Sequence, residues 1–275
     1  MPRFIARNTL RVRTASLLAA GVVGLAHTAV QAGEDDEIVT DRPDFVESSQ
    51  VVGRGRFQVE TSVLVERDRN AAARERSLST PTLLRFGLGE SFELRLETDG
   101  RTVVHTTELP AGARSTAASY ADTSLGIKWH VLDEHGATPS VGVLLHADLP
   151  SGSRGFGGQG VRPSLRVAAE WELPGEMSLG LMPGVGVEHN EAGAHYSYGI
   201  FGAVLGKSFN ERSRGFVELA APQVARAGNG GTVATFDIGG AYLLSPSCQV
   251  DTMLSRGLNN RTPDWSWTVG LSFKL

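Results

Sequence analysis

The C-terminal stretch of this chain, residues 263–275, constrains the fold more than any other feature. Large apolar side chains occupy every second position, and small or polar side chains lie between them. The apolar set is Trp265, Trp267, Val269, Leu271, Phe273 and Leu275. Successive side chains of a strand point to opposite faces, so the pattern predicts a strand of about ten residues with one apolar face. Such a strand is typical of the closing strand of an outer-membrane β-barrel.

The N-terminus predicts export. A basic region precedes a short apolar run, 15–26, and Val30-Gln31-Ala32 then forms a small-x-small cleavage site, which is the order of a secretory signal peptide. The alternative is an uncleaved membrane helix, but the apolar run is shorter than the roughly eighteen residues that a spanning helix needs. We therefore predict a signal peptide at 1–32, a periplasmic segment at 33–55 and a barrel at 56–275.

Composition excludes several functional classes. Cleavage after Ala32 would remove four of the 26 basic residues and none of the 30 acidic ones, so the mature formal charge would be 22 − 30, or −8. The basic footprint of a nucleic-acid-binding protein is therefore absent. A single cysteine, Cys248, rules out an intramolecular disulfide. The histidines show no metal-ligand spacing, so we expect neither a metal nor a cofactor.

Period-two segments recur from residue 56 to the C-terminus. Twelve such segments lie near 56–66, 79–88, 91–99, 119–131, 139–149, 162–172, 176–188, 195–207, 214–222, 231–243, 247–256 and 264–275. Long and short connections alternate between them, as long outer loops and short periplasmic turns do in outer-membrane barrels. The sequence therefore predicts an all-β protein, a transmembrane antiparallel β-barrel of about twelve strands. It would lie in the outer membrane of a Gram-negative cell, with both termini in the periplasm.

One face of the predicted strands is apolar, and the other carries charges of both signs. A barrel of twelve strands is too wide to be filled by apolar side chains alone, so we assign the charged face to the lumen and the apolar face to lipid. The candidates for lining the lumen and contacting a solute are Glu60, Arg85, Glu93, Arg95, Glu97, Lys128, His130, His146, Asp148, Arg166 and Glu170. Alternatively, these charges pair with one another and only fill the barrel.

Several segments resemble a known family, the outer-membrane "putative transporter" group named for a meta-pathway of phenol degradation. They cover nearly the whole mature chain in order: 40–45 with 47–48, 55–60, 81–88, 92–95, 148–152, 162–165, 257–259 and 263–265. The resemblance implies an outer-membrane transport role, and the family's name suggests aromatic compounds as solutes. It supplies no binding residues. The chain departs from the terminal Phe of many such barrels, because it ends in Leu275.

Two further segments carry candidate residues. Thr40-Asp41-Arg42-Pro43-Asp44 has the composition of an ordered turn. It would either enter the periplasmic mouth, with Arg42 paired to Glu60 or Glu93, or only cap the first strand; Asp41, Arg42 and Asp44 are the candidates. The glycine-rich outer loop, 150–160, would either fold inward, with Arg154 and Phe156 facing a solute, or remain a flexible loop. It lacks the ending of a phosphate-binding loop.

Three functions are compatible with this sequence: a passive channel or transporter for small solutes, a closed structural barrel, and an outer-membrane lipid hydrolase. His195 and Ser197 share one strand face, but a serine nucleophile also needs a group that orients its base. We predict a channel for small organic solutes and no enzymatic activity. The expected partners are outer-membrane lipid, the solute and the barrel-assembly machinery.

Overall fold

The computed structural model of the chain describes residues 37–190 and 193–275; the predicted signal peptide, 1–32, lies outside this range. Within it, fifteen strand segments form one antiparallel sheet. They are β1 Phe57–Arg69, β2 Ala73–Ser79, β3 Thr82–Gly87, β4 Phe92–Thr98, β5 Arg101–Glu108, β6 Arg114–Tyr120, β7 Thr123–Leu132, β8 Ser140–Leu149, β9 Arg162–Leu173, β10 Met177–His189, β11 His195–Asn210, β12 Ser213–Val224, β13 Val233–Ser245, β14 Cys248–Gly257 and β15 Trp265–Lys274. In the described part of the chain, no helix has the length and apolar character to span a membrane.

The sheet closes on itself because β15 pairs with β1, from Gln58 opposite Lys274 to Arg67 opposite Trp265. Three pairs of segments, β2 with β3, β4 with β5 and β6 with β7, each form one barrel strand with a short interruption. The fifteen segments therefore make twelve barrel strands, and the predicted twelve-stranded antiparallel barrel is confirmed. Closure leaves no open edge around the closed part of the barrel, as a membrane-spanning sheet requires; at the end that carries β6, that segment pairs with β5 on one side.

The alternation of the strands sorts side chains onto two surfaces. On β7 and β8, Ile127 and Leu145 are 44% and 56% exposed on the outer surface, whereas Lys128 is fully buried on the inner one. An apolar exterior around a polar interior is the arrangement of a barrel that lies in lipid. The protein is an outer-membrane β-barrel, and its polar functional groups lie in the lumen.

Two predicted outer loops are largely strand. The connection expected at 67–78 shrinks to 70–72, and the connection expected at 100–118 shrinks to 109–113, because β1, β2, β5 and β6 extend further than their sequences suggest. These extensions carry charged or hydroxyl side chains on both faces, so they lack a regular apolar alternation while their backbones continue to pair. We call this end of the barrel the loop end and the opposite end, with turns such as 88–91 and 211–212, the turn end.

Candidate functional site

The lumen contains a stretch of the chain that precedes β1. This lumen segment, residues 37–52, has no regular secondary structure, yet most of its residues from Ile38 onward are buried. It forms hydrogen bonds with β1, β3, β4, β7, β8, β9, β12, β14 and β15. It therefore crosses the inside of the barrel and contacts the wall around most of its circumference.

Asp41 is the centre of the contacts between the lumen segment and the wall. Its two carboxylate oxygens accept hydrogen bonds from Lys128 Nζ at 2.8 Å, and Arg95 donates to Oδ2 at 2.6 Å. Arg85 is 3.3 Å away. Burial by itself favours the neutral acid, but the charges of Arg85, Lys128 and Arg95 hold the pKa of Asp41 well below its usual range. Asp41 is thus a fixed anion that joins three wall cations.

The surrounding charges are balanced in number. Arg85 also pairs with Glu60 at 3.0 Å and with Glu93 at 2.9 Å. Glu47 of the lumen segment accepts hydrogen bonds from Arg95 and, at 2.9 Å, from Arg166. The cluster therefore has four cations and four carboxylates: Arg85, Arg95, Lys128 and Arg166 against Asp41, Glu47, Glu60 and Glu93. Such pairing is what allows charges to be buried at all.

Wall carboxylates also bind the backbone of the lumen segment. Glu218 accepts hydrogen bonds from the amides of Phe45 and Val46, at 2.8 and 2.7 Å. Glu60, Glu93 and Glu170 accept the amides of Asp41, Val52 and Ser49 respectively. A buried segment without secondary structure needs such partners for its N–H groups, because no helix or sheet ladder satisfies them. These four glutamates therefore hold an extended chain in the lumen.

On the side of the lumen opposite the charge cluster, apolar wall residues pack against the lumen segment. Val46 packs with Met182, Val204 and Phe216, which are all buried. Small residues make room for it: a Cβ atom added to Gly202 would lie 2.6 Å from a Val46 methyl group. Gly142 on β8 is also close, since a Cβ atom there would lie 2.8 Å from the carbonyl oxygen of Ser49. The wall is thus shaped to the lumen segment as well as charged to match it.

Of the predicted periplasmic-mouth residues, Arg42 has partners that differ from the expectation. Arg42 donates to Thr268 Oγ1 at 3.0 Å and lies 3.8 Å from Asp251, and it pairs with neither Glu60 nor Glu93. Arg85 contacts both of those glutamates instead. Asp44 lies 3.5 Å from Arg214.

The other predicted lumen residues lie around this cluster. Of these, Glu97 is 3.4 Å from His146, and Asp148 is 3.8 Å from Arg162 of the wall. His130 lies at the turn end, 3.1 Å from the carbonyl oxygen of Ser49. Sequence reasoning missed Glu47 as a charged contact of the lumen segment with the wall, and it missed Gln58, Arg214, Glu218 and Gln249 as wall contacts of that segment. Only Glu47 carried a signal, because it belongs to one of the segments that resemble the family.

The glycine-rich outer loop is bound to the wall by Asp122. Its carboxylate accepts the amides of Gly152 and Gly158, at 2.6 and 2.7 Å, and a hydrogen bond from Arg162 at 2.7 Å. Arg154 is exposed and Phe156 is partly buried in this loop. The structure thus brings neither of these two candidates into the charge cluster.

Cavities lie on both sides of the lumen segment. The cavity toward the loop end measures about 410 Å³, and its lining includes Phe45, Arg95, Glu97 and Arg166. The cavity toward the turn end measures about 300 Å³. Residues of the lumen segment, Asp44 among them, line both cavities. The segment therefore lies between the two halves of the lumen.

Comparisons with known proteins agree with this architecture. Residues 40–275 match the family described as "Putative MetA-pathway of phenol degradation". The crystal structure of an outer membrane channel from Pseudomonas putida F1 aligns with a TM-score of 0.61 and 10% identity, over 85% of this chain and 99% of that one. The NanC porin aligns with a TM-score of 0.48 and 12% identity, over 80% of this chain and 100% of the porin. No curated protein matches the chain.

Proposed function

The chain belongs to the family described as "Putative MetA-pathway of phenol degradation", and on that premise we propose that it is a passive outer-membrane channel for small organic solutes. In this proposal the turn end and both termini face the periplasm, and the lumen segment closes the channel in the conformation seen here. The barrel-assembly machinery would insert the protein into the membrane.

One observation supports the channel over a closed structural barrel: the obstruction is not part of the wall. The lumen segment contacts the strands through side chains and through amides bound to wall carboxylates, and it adds no strand to the sheet. The segment can therefore leave the lumen without breaking any backbone pairing between barrel strands. Because cavities lie on both of its sides, its departure would join them into one path.

The loop-end cavity supports small organic compounds as the solute class. Its volume of about 410 Å³ falls in the range of roughly 300–1,000 Å³ that small-molecule sites occupy. The Phe45 ring and the charges of Arg95, Glu97 and Arg166 line it together. This combination favours a compound with an aromatic or apolar body and a polar substituent, and phenols have that form.

We further propose that the protein has no enzymatic activity. His195 and Ser197, the residues considered for lipid hydrolysis, lie opposite His189 and Val187 of β10. His189 and Val187 alternate with the lumen-facing positions of β10, so all four residues lie on the face that points away from the lumen. The His195 ring packs against His189, with centroids 4.0 Å apart. Among the described residues, no carboxylate forms an ion pair with His195, so the orienting group of a catalytic triad is missing from this pair.

Conductance in planar bilayers tests the channel and its closure together. We would compare the mature protein with a variant that lacks residues 37–50, using folded protein in both cases. The deletion variant should conduct continuously, and the intact protein should conduct only in brief openings or at a lower level. If neither protein conducts, the barrel is structural and the proposal is wrong. If both conduct equally, the lumen segment does not close the channel.

A further inference from the structure

A block of four arginines lies on the outer surface of the hairpin formed by β1 and β2. Arg67 is directly opposite Arg76, and Arg69 is directly opposite Arg74. Residues 67 and 69 share the face of Val63, which is exposed on the barrel's exterior, and all four arginines are exposed. Opposed residues lie about 5 Å apart and successive ones on a face about 7 Å apart, so the four guanidinium groups can reach one ligand.

Ion pairs within the described part of the chain do not neutralise this block. Among the residues that the structure describes, none of the four arginines forms an ion pair. The nearest carboxylates in sequence, Asp68 and Glu75, are opposite each other, and strand alternation directs them to the other face of the hairpin. Like charges placed directly opposite destabilise a sheet. The hairpin has two such arginine pairs in succession on one face, and a bound anion would reduce the repulsion between them.

The position of the block relative to the apolar surface indicates where that anion lies. One pleat nearer the middle of the strands, Val65 is opposite Leu78 on one side and Trp267 on the other. Leu78 and Trp267 are both exposed apolar side chains on the lipid-facing surface. The arginines thus begin where the apolar surface ends, at the depth of the lipid headgroups.

A cleft of about 520 Å³ lies at the same place. The four arginines line it together with His105 and Trp265, and Asp68, Glu75 and Asp264 also contribute atoms to its lining. It lies on the outside of the barrel and shares no lining residue with the two lumen cavities. A ligand there would therefore not be the transported solute.

We propose that this arginine block binds the phosphate groups of a membrane lipid headgroup. Guanidinium groups donate two parallel hydrogen bonds to phosphate oxygens, which is why arginine suits this ligand. Two rows of arginines favour a headgroup with two phosphates over a single phosphodiester. With the loop end outward, the ligand is a diphosphorylated glycolipid of the outer leaflet, whose acyl chains would cover Leu78 and Trp267.

Lipid titration of the intact mature protein tests this site. We would titrate the protein in neutral detergent with diphosphoryl lipid A, phosphatidylglycerol and inorganic phosphate, and measure bound ligand by native mass spectrometry. The variant is R67Q/R76Q, and the control is R212Q/R226Q, which removes the same charge from two exposed arginines elsewhere. Lipid A affinity should fall about tenfold or more in the variant and less than about twofold in the control.

A second measurement separates binding from folding. In detergent alone, R67Q/R76Q should unfold at the same temperature as the parent protein or a higher one, because a like-charge rung is removed. Lipid A should raise the unfolding temperature of the parent protein and of the control, and have little effect on the variant. Equal stabilisation of parent and variant overturns the site. Binding of phosphatidylglycerol as tight as that of lipid A, or displacement of lipid A by millimolar phosphate, overturns the assigned ligand.

Discussion

Replacing Asp41 with Asn should release the lumen segment while leaving the barrel intact. The substitution keeps the shape of the side chain and removes only its charge. Lys128, which is fully buried, then has no carboxylate closer than Glu47 at 3.9 Å. Arg85 and Arg95 keep Glu60, Glu93 and Glu47 as partners. The unpaired charge is therefore concentrated on Lys128.

The size of the effect follows from that unpaired charge. Removing one partner of a buried ion pair costs about 3–5 kcal/mol. Undocking of the lumen segment would hydrate Lys128, so the penalty applies to the docked state and not to the closed ladder of strands. Each 1.4 kcal/mol changes an equilibrium constant tenfold, so the undocked fraction should rise by roughly two to three and a half orders of magnitude.

Cysteine labelling measures the undocked fraction directly. Ser49 is completely buried in the docked segment, so Ser49→Cys should react with a maleimide only when the segment leaves the lumen. Cys248, the single native cysteine, is replaced by Ser in every protein compared. The labelling rate should rise in Asp41→Asn by the factor given above, up to the rate of a free thiol.

Asp44→Asn is the matched control, because the ion pair between Asp44 and Arg214 is long, at 3.5 Å, and Arg214 is partly exposed. This long and partly exposed pair should be worth no more than about 1 kcal/mol, so labelling should rise less than about fivefold. Equal labelling of the Asp41 variant and its parent would refute the role given to Asp41. Loss of the folded barrel in that variant would show that the charge cluster supports the wall instead.

Three further predictions concern the wall and the open lumen. Gly142→Ala should force Ser49 away from β8 and increase Ser49→Cys labelling without changing any charge, whereas Gly89→Ala, with no atom within 4 Å of the added Cβ, should not. Ile127→Arg should lower the free energy of unfolding in lipid by about 2–4 kcal/mol if Ile127 lies near the bilayer midplane, as measured by urea titration against Ile127→Leu. Deleting residues 37–50 leaves the three cations around Asp41 facing two wall glutamates, so the reversal potential in a salt gradient should shift toward anions relative to the openings of the intact protein.

The barrel itself could be predicted from sequence because its evidence is local. The alternation in residues 265–275 reports directly which side chains meet lipid, and the same signal recurs in each strand that crosses the membrane. The signal fades where a strand leaves the lipid. In β2 and β5, charged or hydroxyl side chains lie on both faces. The backbones of these strands still pair, but their sequences show no apolar alternation. These extensions therefore escaped prediction for a physical reason.

The partners within the lumen were beyond sequence reasoning. Asp41 meets Arg85, Arg95 and Lys128, which are separated from it by 44 to 87 positions and lie on three different strands. Closure of the barrel decides which of its charged side chains converge at one depth. A pairing of Arg42 with Glu60 is equally consistent with the sequence, but Arg85 reaches Glu60 from the neighbouring strand.

The two kinds of contact that hold the lumen segment have different consequences for opening. The four wall glutamates bind backbone amides, so they would accept almost any extended chain of this length. The carboxylates of Asp41 and Glu47 instead enter a cluster that contains as many cations as anions. When the segment leaves, this cluster loses two anions and no cation. The departure therefore makes the inner lumen more positive, which favours the entry of an anionic solute and opposes the return of the segment once that solute is bound.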